Sequence, residues 1–294
     1  MVDDWNTYGS ITSSGETTGA MNSWNEWGDL VRADGTYASN AKILAAYKRC
    51  INYAANADRI MITGDIINFY SQANLDLMEK YVFNAKTNVN SSMTAKIIAM
   101  AGNHEPAVTP YNKNTLISNA NSVSALYTKY GQNMKYSSEV IDGKVMIVQM
   151  DNGASYDVGN IFDSSVGRFT QDQVNKLTAD IATAKANGYT LLLFFHVPMP
   201  RTSYGEGQGD LYGDGTNVSD GVGGWTNTAV DKAMYNLITN NADTIRGCFT
   251  GHTHSAYVNQ ITAKTSDGKD AYIPQYTIEA LYERDGEMLK IVLK

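Results

Sequence analysis

The 294-residue sequence holds four histidines, and two of them sit together in Phe249-Thr250-Gly251-His252-Thr253-His254. Residues two apart in an extended segment point the same way, so both imidazoles can face one point. The other two, His104 and His196, also follow apolar runs: Ile97-Ile98-Ala99-Met100 and Thr190 to Phe195. Asp65 follows Ile60-Met61-Ile62-Thr63-Gly64, and Asn103 precedes His104. Each of these residues alone reads as an ordinary turn or core side chain. Together they place every histidine, an aspartate and an asparagine at the ends of strand-like runs. Asp65, Asn103, His196, His252 and His254 are therefore the candidate metal ligands.

Mixed imidazole, carboxylate and amide ligands suit manganese, iron or zinc, with magnesium or cobalt also compatible. One carboxylate can bridge two ions through its two oxygens. Two ions can hold both an attacking hydroxide and the phosphoryl oxygens of a substrate, and they lower the pKa of a bridging water. If Asn103 is a ligand, His104 projects elsewhere and can protonate a leaving group. Glu105 has two readings, as the group that orients His104 or as a structural carboxylate.

These ends must be brought together by regular elements. Apolar stripes predict helices over Asn40–Ala57, Leu75–Ala85, Leu116–Tyr130, Gln171–Ala186 and Thr228–Asn240. In the first, Ile43, Tyr47, Cys50, Ile51 and Ala54 share a face; in the fourth, Val174, Leu177, Ile181 and Ala184 do. Strands are predicted at Ile60–Thr63, Ile97–Met100, Val145–Met150, Thr190–Phe195, Arg246–Phe249, Tyr272–Ile278 and Met288–Leu293, with a turn at Arg284-Asp285-Gly286. Alternating strands and helices imply an α/β fold with a buried, mixed sheet. Open sheets of this kind gather ligands at the carboxyl ends of their strands. No repeat or linker divides the chain, so residues 1–294 read as one domain. Residues 1–38, which hold Trp5, Trp24 and Trp27, form an irregular arm packed by its aromatics.

Composition bounds the partners. A formal charge of -7 argues against nucleic acid or an anionic membrane as the main partner. No apolar run approaches the roughly 18 residues of a transmembrane helix. Cys50 and Cys248 read as buried free thiols rather than a disulfide framework. No secretory leader follows Met1. A Tyr-, Asn-, Thr- and Gly-rich, Lys-poor composition resembles exported bacterial proteins whose leader has been removed; the other reading is a cytoplasmic protein.

Gly64-Asp65-Ile66-Ile67-Asn68, Gly102-Asn103-His104-Glu105, His196-Val197-Pro198 and Gly251-His252-Thr253-His254 together resemble the calcineurin-like metallophosphoesterase superfamily. Gly167-Arg168-Phe169 is similar to the family too, and the stretch from His254 to Tyr276 looks like its secreted or cell-envelope bacterial members. The resemblance runs from about Ala38 to the C-terminus. It implies a four-layer α/β/β/α sandwich with two central mixed sheets. It also implies that Asp65 bridges two metals, that Asn103, His196 and His252 complete one site, and that His254 belongs to the other. His104 would be the catalytic acid or stabilise the transition state. Asn68 stands where the purple acid phosphatase branch has a tyrosine ligand, so a tyrosinate–iron site is not expected.

One departure stands out. The family opens with a strand ending in Asp-x-His, and no such motif precedes Asp65. In one reading, Asp4-Trp5-Asn6 is a degenerate form with Asn6 in place of the histidine. In the other, the first strand and its motif lie upstream of Met1. The second is preferred, because such a strand needs about five apolar residues before the motif and only Met1 and Val2 are present.

The leading expectation is a hydrolase: a phosphoesterase that cleaves a phosphate mono- or diester by attack of a metal-bridging hydroxide on a binuclear centre. The alternative is a phosphoesterase-fold binding protein with an incomplete metal site and little turnover. A third reading is a surface adhesion domain. The partner would be a phosphorylated small molecule or a lipid or cell-envelope substrate. The Gly-rich loop from Thr202 to Gly224 reads as either a mobile specificity element or a solvated excursion.

Overall fold

The computed structural model describes residues 40–67, 70–107, 113–153, 168–199, 228–252, 256–281 and 288–293. Outside them lie the arm, the loop from Thr202 to Gly224, the turn at 284–286, and Asn68, Gly167 and His254.

The elements follow in the order α1 (Asn40–Tyr53), β1 (Arg59–Ile62), α2 (Gln72–Met78), a π-helical turn (Glu79–Phe83), α3 (Ala85–Asn88), β2 (Lys96–Ala99) and α4 (Lys113–Lys129). Then come β3 (Tyr136–Ile141), β4 (Val145–Met150), α5 (Gln171–Asn187), β5 (Thr190–Phe194), α6 (Ala229–Thr239), β6 (Ile245–Thr250), β7 (Tyr257–Lys264) and β8 (Asp270–Thr277). β1 and β2 pair in parallel, with Ile62 opposite Ala99. The other sheet has the order β3-β4-β5-β6-β8-β7. Its four inner strands are parallel to one another, and β3 and β7 are antiparallel at its edges. The fold is mixed α/β with a central mixed sheet.

β4 is buried along its whole length. Met146, Val148 and Met150 join a core with Leu177 and Ile181 of α5 and Met234 and Ile238 of α6. Val145 and Ile147 join a second core with Leu192, Phe194, Phe249 and Met100, against which Met61 of β1 packs. A third core sets Tyr47 and Ile51 of α1 and Val123 and Tyr127 of α4 against Ile60 and Ile97. Each fully buried Leu, Ile or Met contributes roughly 1.5–3 kcal/mol. β4, buried on both faces, therefore cements the sheet that carries His196 and His252. Cys50 and Cys248 are both buried free thiols.

The helix ends follow local chemistry. Thr170 and Gln173 form a capping box on α5, and Gly188 ends it at φ 69°. Thr228 and Asp231 form a second box on α6. Asp231 does more: its Oδ1 accepts the Arg168 and Phe169 N–H groups at 2.8 and 3.0 Å.

Three expectations change. The helix expected over Leu75–Ala85 is broken by a wide turn, in which the Asn84 N–H reaches the Glu79 carbonyl at 2.9 Å. The Asn84 amide and Tyr130 hydroxyl meet at 2.6 Å, and Tyr130 also bonds Glu79, which fixes the turn. Met288–Leu293, expected as a strand, has no ladder partner among the described residues; its apolar side chains are exposed, Val292 to 62%. Finally, β3 and β7 are strands that apolar runs do not reveal. β7 alternates buried and open residues, the signature of an edge with one wet face, whereas β3 buries only its two ends, Tyr136 and Ile141, on opposite faces.

Candidate metal centre

The carboxyl ends of β1, β2, β5 and β6 converge, and they bring Asp65, Asn103, His196 and His252 to one point. The His196 side chain is 1% exposed and that of Asp65 9%. His196 Nδ1 lies 2.7 Å from the Thr63 carbonyl. A carbonyl only accepts, so Nδ1 carries the proton and Nε2 presents a lone pair in the neutral ring. That Nε2 sits 3.1 Å from Asp65 Oδ2, 3.1 Å from Asn103 Oδ1 and 3.1 Å from His252 Nδ1. Asp65 Oδ2 is buried and has no hydrogen-bond partner. Its approach to His196 becomes an ion pair only if the imidazole takes a second proton. A carboxylate oxygen, an amide oxygen and two imidazole nitrogens thus face one another inside the protein, and with the His252 proton on Nε2 all four present lone pairs. Ligand atoms of Asp65, His196 and His252 all lie within 4.8 Å of each other. A divalent cation fits this donor set, because one ion can accept all the lone pairs at once.

The electrostatics draw a positive charge, a proton or a metal ion, to this point. Burial would raise the Asp65 carboxyl, but the charges of His196, His104 and His252 outweigh it and hold the carboxyl well below its usual range. Burial would lower the His196 imidazole, and the Asp65 carboxylate more than reverses this. Each group is tuned by the charge facing it, as in sites built around charge.

The backbone at these ends is strained in a consistent way. Asp65 has φ 52° and His252 φ 71°, left-handed values that non-glycine residues rarely adopt. Gly64, at φ 96°, lets the chain pass His196, since a Cβ there would lie 2.5 Å from Nδ1. A Cβ on Gly102 would lie 2.1 Å from Asp65 Oδ1. Asp65 Oδ1 itself accepts the His104 N–H at 3.0 Å. That leaves Oδ2 facing the other donors.

Glu105 has a clear role. Its fully buried carboxylate accepts backbone N–H groups from Asp65 (3.2 Å), Ile67 (3.3 Å), Ile66 and Gly102. It ties the loop after β1 to the loop after β2, which favours the structural of its two readings. Burial, then the neighbouring Asp65 charge, push its carboxyl up to about 7, against the pull of the Gly102 and Ile66 N–H groups. His104 is buried beside this loop.

Two positions escaped the sequence. Asn152, after β4, accepts the His196 and Val197 N–H groups at 3.0 and 2.9 Å and donates to the Val197 carbonyl at 2.9 Å. Gln275 in β8 grips Met199 through its N–H (2.8 Å) and carbonyl (3.1 Å). The one signal for Asn152 is a polar Asp-Asn pair directly after an apolar strand. A cleft of about 740 Å³ opens beside Asp65 and His252, walled largely by apolar residues such as Ile62, Ile141, Phe194 and Phe249. Among the described residues, no helix is long and apolar enough to cross a membrane.

The profile of the calcineurin-like phosphoesterase family matches residues 27–256. A comparison with curated proteins gives no match. Among solved structures, that of PhoD aligns with a TM-score of 0.54 at 12% identity, covering 81% of this chain and 53% of PhoD. The chain thus spans about half the length of that protein. A dimetal phosphatase from Danio rerio aligns with a TM-score of 0.50 at 13% identity, covering 82% of this chain and 78% of its own. At such identities the likeness is one of fold. The family match covers well over half of the sequence, and so the chain belongs to the calcineurin-like phosphoesterases.

Proposed function

We propose that Asp65, Asn103, His196 and His252 hold a divalent ion, that Asp65 and His254 serve a second, and that the chain hydrolyses a phosphate mono- or diester. The observation that carries this reading is the meeting of Asp65 Oδ2, Asn103 Oδ1 and His252 Nδ1 around His196 Nε2, with Asp65 Oδ2 buried and without a hydrogen bond. Manganese, iron or zinc suit the donors, with magnesium or cobalt as alternatives. Bound ions would neutralise phosphoryl oxygens and acidify a nucleophilic water.

The residues of the chain divide the remaining work. Asp65 is aimed by the His104 N–H on Oδ1. His196 is aimed by Thr63. His104, adjacent to Asn103, is the group to protonate the leaving oxygen. The substrate would be a phosphorylated small molecule or a lipid or cell-envelope phosphoester.

A second reading rests on the described donors meeting at a single point: a protein that binds a phosphorylated ligand at one metal without turnover. Two measurements on the full chain decide. Metal content after purification should approach two ions per chain for the enzyme and at most one for the binding protein. Nitrophenyl phosphate ester hydrolysis with added manganese should be abolished by Asp65→Asn. Equal inactivity of both forms, with metal held at one site, defeats the enzyme reading.

A further inference from the structure

The corner Asp151-Asn152-Gly153 after β4 contributes no proposed ligand, yet it touches the loops of two of them. Asn152, 1% exposed, makes three hydrogen bonds to His196 and Val197. Gly153 abuts the other loop: a Cβ on it would lie 2.9 Å from Gly102 C and Cα and 3.0 Å from Asn103 N. The corner is itself braced. Asp151 Oδ1 accepts the Gly153 N–H at 2.9 Å, and Asp151 N donates to the Lys135 carbonyl at 3.0 Å. Gln173 of α5 donates to the Asp151 carbonyl at 2.7 Å and to that of Lys135 at 2.9 Å.

From this we infer that Asn152 is a positioning residue for the metal centre: together with Gly153 it sets the separation of the His196 and Asn103 ligand atoms. The inference rests on the proposed metal reading. Its physical basis is that ligand affinity depends on preorganisation. A ligand loop held by a buried amide meets the ion without having to be ordered first, and partners of this kind change metal affinity about 10- to 100-fold.

Calorimetric titration of manganese into the metal-free full chain tests it, with thermal midpoints measured in parallel. Asn152→Ala removes all three bonds and should weaken manganese binding about 10- to 100-fold. Gln275→Ala removes a comparable buried grip on Met199, further along the same loop. It should lower the thermal midpoint while leaving affinity nearly unchanged. Asn152→Asp keeps the acceptor for both N–H groups and should bind more tightly than Asn152→Ala. Unchanged affinity in Asn152→Ala, or equal weakening in Gln275→Ala, overturns the inference. Should Asn152→Ala not fold, Gly153→Ala against Asn152→Asp carries the same comparison, with the glycine variant expected to bind the metal more weakly and equal affinity overturning the inference. A wild-type chain that binds no manganese defeats the metal reading itself, and is told apart because no variant then has affinity to lose.

Discussion

The Glu105 carboxylate lies beneath the backbone of Asp65 and accepts its N–H at 3.2 Å, while the same carboxylate holds Ile66, Ile67 and Gly102. One side chain thereby fixes the turn that gives Asp65 its left-handed φ of 52°. Burying a charged group without water is costly, and it is tolerated where backbone donors replace the lost hydration.

Glu105→Gln should therefore be severe for so conservative a change. The amide NH2 would face N–H donors and leave some of them buried without an acceptor. A loss of about 2–4 kcal/mol in urea-unfolding free energy is expected. A loss below about 0.5 kcal/mol, the scale of an ordinary surface change, would show that the four contacts do not act together.

His104→Ala and His196→Ala should separate two kinds of loss. Without His104, kcat should fall about 100- to 10,000-fold at unchanged metal content, as for removal of a positioned proton donor. Without His196, bound metal itself should fall. Metal analysis beside steady-state kinetics reads both, and equal metal loss in the two variants would contradict the division of roles.

Gly102→Ala adds one carbon where Asp65 Oδ1 already stands 2.1 Å away. Since Oδ1 also accepts the His104 N–H, the carboxylate must turn and Asp65 is lost as an oriented ligand. Metal content should drop with little change in far-UV circular dichroism. Gly131→Ala, with nothing within 4 Å of its Cβ position, should leave the metal content unchanged.

Glu139 of β3 gives a pH test away from the centre. It pairs with Arg59 of β1 at 3.1 Å through Nη2 and with Lys96 of β2 at 3.0 Å. The Arg59 hydrogen bond, opposed by partial burial and helped by Lys96, lowers its carboxyl from the usual value. A carboxyl lowered on folding contributes stability above its unfolded pKa, near 4.3, and loses it as the pH falls through the lower folded value. Because the side chain is 25% exposed, the gap between wild type and Glu139→Gln should be no more than about 1 kcal/mol at neutral pH. It should close below about pH 4, and a gap constant with pH would rule out the charge as its source.

Much of the centre was legible because its chemistry sits at the ends of continuous apolar runs. Val145–Met150 was read to the residue, and Asp65, Asn103, His196 and His252, which the fold brings together, stood out because ligand types recur where such runs stop. Edge strands were not legible. In Tyr136–Ile141, Ser137, Ser138 and Glu139 interrupt the apolar pattern, because β3 buries only its two end residues. Met288–Leu293 erred in the opposite sense: its residues favour a strand, but a strand also needs a neighbour. The roles of Glu105 and Asn152 were hidden for another reason. Their partners lie about 40 positions away in sequence, and a side chain that serves distant backbone leaves no local pattern. His254 lies outside the described residues, so its side of the centre is carried by sequence alone.

The crowding of donors around His196 Nε2 also ties folding to solution composition. An ion that these atoms hold only in the folded chain shifts the equilibrium toward folding. By mass action, each ion bound only by the folded chain adds about 1.4 kcal/mol to stability for every tenfold rise in free metal above its dissociation constant. The slope of unfolding free energy against the logarithm of free manganese then counts ions. A slope near one such increment marks a single filled position, and a slope near two marks a pair, so an equilibrium melt reports how many ions the fold holds.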